Sequence, residues 1–235
     1  MSKALHHQSI AFALALGLGT LAATAVFHDT MAAGPGAELW PGGTFGLSNY
    51  ENDNWVPIKG NRTVFHCSGY GCRKMDKFRF TDADIFRLAL IMSEALLEDT
   101  ATSERKAIAQ AVAWMEMRVG RALGTNRDKA SIGFFAAGQK GQQDCVDEAR
   151  NTAAYLAVLH ANGLIRHHGK AHVVNRGNLL IGAMPHYGVV IKEAAMKRLW
   201  AIDSGVGGNG KLPLIERAER WYARGGSRAP SSSRF

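Results

Sequence analysis

The order of hydrophobic periodicities along the chain limits its fold more than any other feature. Between residues 81 and 163 the apolar residues recur every three or four positions, which predicts amphipathic helices. After residue 170 the pattern changes to short runs of β-branched and aromatic residues, separated by glycine, asparagine and proline, which predicts strands. Helices followed by strands favour an α+β fold, in which the helices pack against one side of a small antiparallel sheet.

Three helices and three or more strands are predicted in this region. The first helix opens with a polar cap at Thr81-Asp82-Ala83-Asp84, and the second covers about residues 103–122. The third starts at Asp144-Cys145 and ends at Gly163, a residue type that commonly follows a helix. We interpret the first two helices as scaffold. The strands are predicted at residues 171–174, 186–192 and 198–203.

Residues 1–33 have the layout of an export segment. A short, weakly cationic start is followed by a nearly uninterrupted apolar stretch from Ile10 to Phe27, and then by small residues. This order is typical of a secretory signal peptide. The apolar stretch is also long enough to cross a bilayer as a retained anchor. We therefore expect a periplasmic or secreted protein, or alternatively one anchored in the inner membrane through this segment alone.

Residues 34–80 are predicted to form an irregular segment, because their first part is rich in glycine, proline and asparagine. Cys67 and Cys72 lie in this segment, with two glycines between them. In an oxidising compartment their spacing favours a disulfide-closed loop. Free thiols are one alternative, and a metal site with His66 as a further ligand is another, but no second ligand pair is evident. We expect no metal and no cofactor.

Pairing of Cys67 with Cys72 leaves Cys145 as an unpaired cysteine, and chemical reactivity is one reason for such a residue. Cys145 lies in the first turn of the predicted third helix. A helix N-terminus favours the nucleophilic thiolate, and its backbone N–H groups are able to hold an oxyanion. The neighbouring carboxylates of Asp144, Asp147 and Glu148 oppose a thiolate, unless Asp144 caps the helix and the other two turn away or pair with Arg150.

His186 and Asp203 are the candidate partners of this thiol. His186 opens one predicted strand and Asp203 ends the next one. Because a hairpin joins the two strands, we expect these residues to lie side by side. Asp203 would then accept a hydrogen bond from the His186 ring and orient it, as the third member of a catalytic triad does.

Three short motifs carry a family resemblance. They are Gln143-Asp144-Cys145-Val146-Asp147-Glu148-Ala149, Pro185-His186-Tyr187-Gly188-Val189-Val190 and Trp200-Ala201-Ile202-Asp203-Ser204. The motifs lie, in this order, at a predicted helix start, at a strand start and at the end of the adjacent strand. In this order and placement they resemble the bacterial transglutaminase-like cysteine peptidases of the papain-like superfamily. The resemblance implies a papain-like, transglutaminase-like core in a domain of residues 81–223. It also implies that Cys145 is the nucleophile, His186 the base and Asp203 the orienting residue.

The papain-like branch places an oxyanion-hole glutamine six residues before its cysteine. Gln139 has that offset, and Gln142 and Gln143 are the alternatives. The sequence also departs from the family pattern. Val146 stands where an aromatic residue is common, and Ser204 stands where proline or asparagine is common.

Together these features predict an exported thiol enzyme that cleaves or transfers an amide or ester acyl group through Cys145, His186 and Asp203. Its expected substrate is a peptide, a protein or a cell-wall amide. The alternative is a catalytically inactive periplasmic binding or scaffold domain on the same fold, in which Cys145 is a small core residue.

Charge adds a further constraint on partners. The formal net charge is +8, which suggests acidic partners such as nucleic acid or an anionic wall polymer. The lysines and arginines are scattered along the chain, and no nucleic-acid-binding motif accompanies them, so we expect no nucleic acid. Residues 224–235 are rich in serine, arginine and glycine and are predicted to be disordered.

Overall fold

The computed structural model describes residues 62–95, 98–130 and 137–235. All of them belong to one compact unit of the chain. The predicted export segment, residues 1–33, lies outside the described residues, as do residues 34–61 of the segment predicted to be irregular. Within the described ranges, none of the helices combines the length and the apolar character that a bilayer span requires.

Residues 62–80 form a β-hairpin, so the prediction of irregular structure was wrong for this part of the segment. Strand β1 (Thr63–Ser68) pairs antiparallel with β2 (Lys74–Arg79). The predicted Cys67–Cys72 disulfide is present and closes the turn of the hairpin. The strand was hard to recognise because five of the six β1 residues are buried, which removes the alternation of apolar and polar residues that marks a half-exposed strand.

The three predicted helices are present. They are α1 (Asp82–Ala95), α2 (Ala101–Leu123) and α3 (Cys145–Ala161). Reciprocal capping boxes fix the starts of two of them: Thr100 with Ser103 at α2, and Asp144 with Asp147 at α3. The apolar periodicity located these helices because one face of each packs into a common core, with Leu88, Ile108 and Leu156 fully buried.

A four-stranded antiparallel sheet follows the helices, and the α+β prediction is therefore confirmed. Its strands are β3 (His168–Arg176), β4 (His186–Glu193), β5 (Leu199–Asp203) and β6 (Leu214–Arg217), which lie in that order across the sheet. The first three match the predicted strands. Strand β6 and the short helix α4 (Ala218–Ala223) were not predicted, because four and six residues are too few for a clear period.

The two faces of the sheet pack against different elements. Val189 and Ile191 of β4 join the core formed with the helices α1 to α3, whereas the intervening Val190 packs with Trp221 and Tyr222 of α4. Alternate residues of one strand thus serve opposite faces. The sheet is consequently covered on both sides, and its central strands are rich in β-branched residues.

A buried ionic network joins α2 to the sheet. Glu104 is fully buried and bonds to Nδ1 of His168 on β3 at 2.7 Å. Next to it, Arg105 donates to Glu193 at 3.1 Å, and its guanidinium lies 3.6 Å above the ring of Trp200 on β5. Breaking one partner of such a network would leave an unpaired buried charge, so the network fixes the helix layer relative to the strands.

The C-terminal residues 224–235 are ordered, so the prediction of a disordered tail was wrong. Lys192 of β4 donates hydrogen bonds to the backbone oxygens of Ser232 and Phe235 at 2.8 and 2.7 Å. The ring of Phe235 lies 4.9 Å from that of His172 on β3. The polar composition suggested disorder, but the segment is held by partners on the sheet that lie far away in sequence.

Candidate active site

Cys145 is the first residue of α3, directly after its cap. The Asp144 side chain accepts the Asp147 N–H at 2.9 Å, and the Asp144 carbonyl accepts the Glu148 N–H at 3.0 Å. Among the described cysteines Cys145 alone is a free thiol, and it is partly exposed. The helix start predicted from the sequence therefore places a free thiol at the N-terminus of a helix.

His186 and Asp203 are in direct contact. Strands β4 and β5 are antiparallel, with Val189 opposite Ile202, so the start of one strand lies beside the end of the other. Nε2 of His186 lies 2.8 and 2.9 Å from the two carboxylate oxygens of Asp203. Asp203 is fully buried and also accepts the indole N–H of Trp221 at 2.7 Å. The carboxylate is thus fixed, and it fixes the imidazole in turn.

The surroundings of His186 favour its cationic form. Burial alone would lower the pKa of this imidazole. Hydrogen bonds with Asp203 and with the Cys145 side chain, together with the charges of both groups, outweigh burial and raise the pKa to about 9. The structure therefore brings His186 and Asp203 into direct contact, and the Cys145 side chain influences the pKa of the same imidazole.

Asp147 is turned away from the thiol, towards the disulfide loop. It is fully buried and accepts the backbone N–H groups of Tyr70 at 2.8 Å and of Cys72 at 2.5 Å. Asp144 likewise accepts the N–H of Gly71 at 2.9 Å. These two carboxylates therefore bind backbone donors on the hairpin, which lessens their opposition to an anionic sulfur.

Glu148 is a buried carboxyl group beside the imidazole. A Cβ atom placed on Gly205 would lie 2.7 Å from Oε2 of Glu148 and 3.4 Å from Cε1 of His186, so any larger residue there would require the Glu148 carboxyl group to shift. Burial, followed by the charge of Asp128, raises the pKa of Glu148 well above its ordinary value. Burial also raises the pKa of Asp128 to about 6.

The raised pKa values of Glu148 and Asp128 oppose ionisation of these two carboxyl groups. This lessens the negative charge beside the thiol, and Asp203 provides the carboxylate that the imidazole contacts. The predicted pairing of the flanking acids with Arg150 is thus not needed to explain how the site accommodates Glu148.

The glutamines predicted for an oxyanion hole have other partners. The Gln142 side chain donates to the carbonyl of Arg127 at 3.0 Å, and the Gln143 side chain donates to the carbonyl of Cys67 at 3.1 Å. Gln139 is exposed, and its carbonyl accepts the Gln142 N–H. The amides of Gln142 and Gln143 thus tie loops together, and the oxyanion role of the three glutamines stays a prediction.

The predicted alternative of a metal site at the hairpin gains no support from the described residues. The sulfurs of Cys67 and Cys72 lie within 4.8 Å of a carboxylate oxygen of Asp147, but the sulfurs are joined in a disulfide. His66 is bonded to Thr125 and Tyr155, and burial lowers its pKa to about 4. His66 is therefore a neutral core residue with both ring nitrogens occupied.

Two contributors to the site were not predicted. Trp221 lies on α4 and reaches Asp203 from the other side of the sheet, and Asp128 follows α2 and reaches Glu148 from a loop. Neither residue lies in a motif, and their positions depend on how separate elements pack. The sequence offered one signal for these contributors, which is a tryptophan in an amphipathic stretch after the last strand.

Comparison of the chain with models of protein families, with curated proteins and with solved structures found no match.

Proposed function

We propose that this protein is a thiol-dependent acyl hydrolase or acyltransferase of the transglutaminase-like type, with Cys145 as its nucleophile. The supporting observation is the imidazole of His186, which is held by Asp203 and whose pKa is raised by Asp203 and by the Cys145 side chain against the effect of burial. A papain-like core is part of the same proposal. It is supported by the order of a helix-borne cysteine, a strand-start histidine and an adjacent strand-end aspartate.

The first chemical step is attack of the Cys145 thiolate on an amide or ester carbonyl carbon. The charge that develops on the carbonyl oxygen requires nearby donors. Asp144 occupies the N–H groups of Asp147 and Glu148, which leaves those of Cys145 and Val146 as the first two donors of the helix. We assign the oxyanion hole to these two N–H groups.

The second part of the cycle uses the proton on His186. The imidazolium protonates the leaving amine or alcohol as the carbon–heteroatom bond breaks, which gives a thioester on Cys145. The neutral imidazole then takes a proton from water or from an amine, whose oxygen or nitrogen attacks the thioester. The products are a carboxylic acid or a new amide, and the thiolate–imidazolium pair is restored.

Acyl transfer to the thiol is tested with an activated ester, p-nitrophenyl acetate. We expect the wild-type protein to release p-nitrophenol and to carry one acetyl group on Cys145 in intact-mass and peptide analysis. The Cys145→Ser variant should lose at least about 100-fold in turnover, because the nucleophile is removed. The Glu219→Gln variant, at an exposed helix position, should behave as wild type.

Equal turnover by wild type and Cys145→Ser, or acetylation at other positions only, would contradict the proposal. That result would favour the alternative, a non-catalytic binding or scaffold domain on the same fold. Unfolding curves that superimpose for wild type and Cys145→Ser provide the check that the substitution has not disturbed the fold.

A further inference from the structure

Two loops at one edge of the sheet are almost free of charge. The β3–β4 loop, residues 177–185, contains no charged side chain, and the β5–β6 loop, residues 204–213, contains only Lys211. In the whole chain one residue in five is charged. Surface loops without charge are therefore a local property of this region rather than of the protein.

These loops also expose large apolar side chains. Six of the nine exposed large apolar residues among the described positions lie on them or at the strand start that follows. The most exposed is Leu180, of which 92% is accessible, and the next are Leu179 at 65% and Leu212 at 63%. We call the six residues the apolar rim: Leu179, Leu180, Met184, Val206, Leu212 and Leu214. Such concentration on one edge is typical of a binding surface.

The apolar rim lies at the edge of the sheet that carries the candidate site. In the antiparallel order β3-β4-β5-β6, the two loops leave the same edge at which β4 begins with His186 and β5 ends with Asp203. Met184 precedes His186 by two residues, and Val206 follows Asp203 by three. Leu214 is the register partner of Asp203. The rim is thus continuous along the chain with the imidazole and its carboxylate.

We propose that the apolar rim binds the acyl group of the substrate, so that this enzyme prefers acyl donors with a hydrophobic chain or side chain. The inference rests on the proposed function of Cys145 and names the substrate class of that site. An anionic wall polymer, which the net charge alone suggests, fits less well, because Lys211 is the one cation on the two loops. A hydrophobic acyl group gains about fourfold in binding for each methylene group that it buries.

The test compares p-nitrophenyl acetate with p-nitrophenyl hexanoate, whose acyl chain is four methylene groups longer. We expect the wild-type kcat/KM to be at least about tenfold higher for the hexanoate, as burial of two of these groups would give. The variant Leu180→Ser/Met184→Ser should lose most of this preference, so that the ratio of its kcat/KM for the hexanoate to that for the acetate falls towards one. The matched control is Phe86→Ser on α1, where an apolar side chain is 67% exposed far from both loops in sequence.

Equal kcat/KM values for the two esters in the wild type would overturn the inference, as would a loss of preference in Phe86→Ser as large as in the loop variant. Cys145-dependent turnover of the acetate would still support the proposed function in either case. If neither ester is turned over, the proposed function fails. We then compare the rates at which iodoacetamide and N-hexyl iodoacetamide label Cys145. Equal rates would show that the apolar rim does not bind a hydrophobic chain.

Discussion

At the level of single residues, burial and neighbouring groups shift the pKa values of several titratable side chains in and around the site. Burial lowers the pKa of His186, but Asp203 and Cys145 outweigh burial and raise that pKa to about 9, whereas burial raises the pKa of Glu148 well above its ordinary value. Glu116 on α2 is a third case. Burial raises its pKa to about 7, against hydrogen bonds from the Gly210 N–H and the Ser204 side chain that lower it. Because the pKa of each group differs between the folded and unfolded chain, each makes the free energy of unfolding depend on pH.

Glu116 gives a prediction for stability. Its pKa is raised on folding, so it contributes stability below its ordinary pKa of 4.5, and this contribution is lost as the pH rises towards 7. In the Glu116→Gln variant this loss is absent. Between pH 4.5 and 7 the free energy of unfolding of the variant should therefore increase relative to that of the wild type, by on the order of 1–3 kcal/mol.

Urea unfolding at a series of pH values measures this difference. Glu219→Gln is the matched control, because Glu219 is exposed and its pKa is lowered by Arg217. Parallel pH profiles for wild type and Glu116→Gln would show that Glu116 ionises equally easily in the folded and unfolded chains, and would refute the burial argument.

At the level of elements, several hydrogen bonds join the β1–β2 hairpin to the start of α3. Four successive turn residues, Gly69 to Cys72, have positive φ values between 58° and 85°. Consecutive N–H groups in such a turn form a concave site for anions. The carboxylates of Asp144 and Asp147 occupy it, and the Cys67 carbonyl accepts hydrogen bonds from Gln143 and Asn151. The hairpin turn thus fixes the segment that presents Cys145.

Removal of the disulfide tests this junction. The Cys67→Ser/Cys72→Ser variant should lose about 2 kcal/mol in free energy of unfolding, because a short closed loop no longer restricts the unfolded chain. Left-handed backbone at Tyr70 and Cys72 adds to the loss, since these residues rarely adopt it without restraint. Chemical denaturation measures the change, with Cys145→Ser as the control that keeps the disulfide. An unchanged free energy would mean that hydrogen bonds alone hold the turn.

For the whole molecule, periodicity determined what was predictable. The long helices and the strands β3 to β5 were predicted because each carries a repeated apolar pattern. The β1 strand was missed because it is buried almost throughout, and the C-terminal segment was misread because its partners, Lys192 and His172, lie on the sheet. Composition reports the average tendency of a segment, whereas tertiary contacts decide its actual state.

The candidate site was predictable to the same degree. The contact between His186 and Asp203 follows from the pairing of adjacent strands, which local sequence indicates. Trp221 and Asp128 reach the site from elements that no pattern connects to it, and Gln142 and Gln143 bind loops that the sequence does not place beside them. Side-chain partners of this kind depend on packing and were therefore outside what the sequence predicts.

The alkylation rate of Cys145 reports whether His186 maintains this thiol as a nucleophile. At neutral pH iodoacetamide should modify the wild-type protein rapidly and at Cys145 only. The His186→Gln variant should react at least about tenfold more slowly, because the thiolate loses its cationic partner. His167→Gln, a substitution at a surface histidine paired with Asp99, should leave the rate unchanged. Equal rates for wild type and His186→Gln would contradict the account.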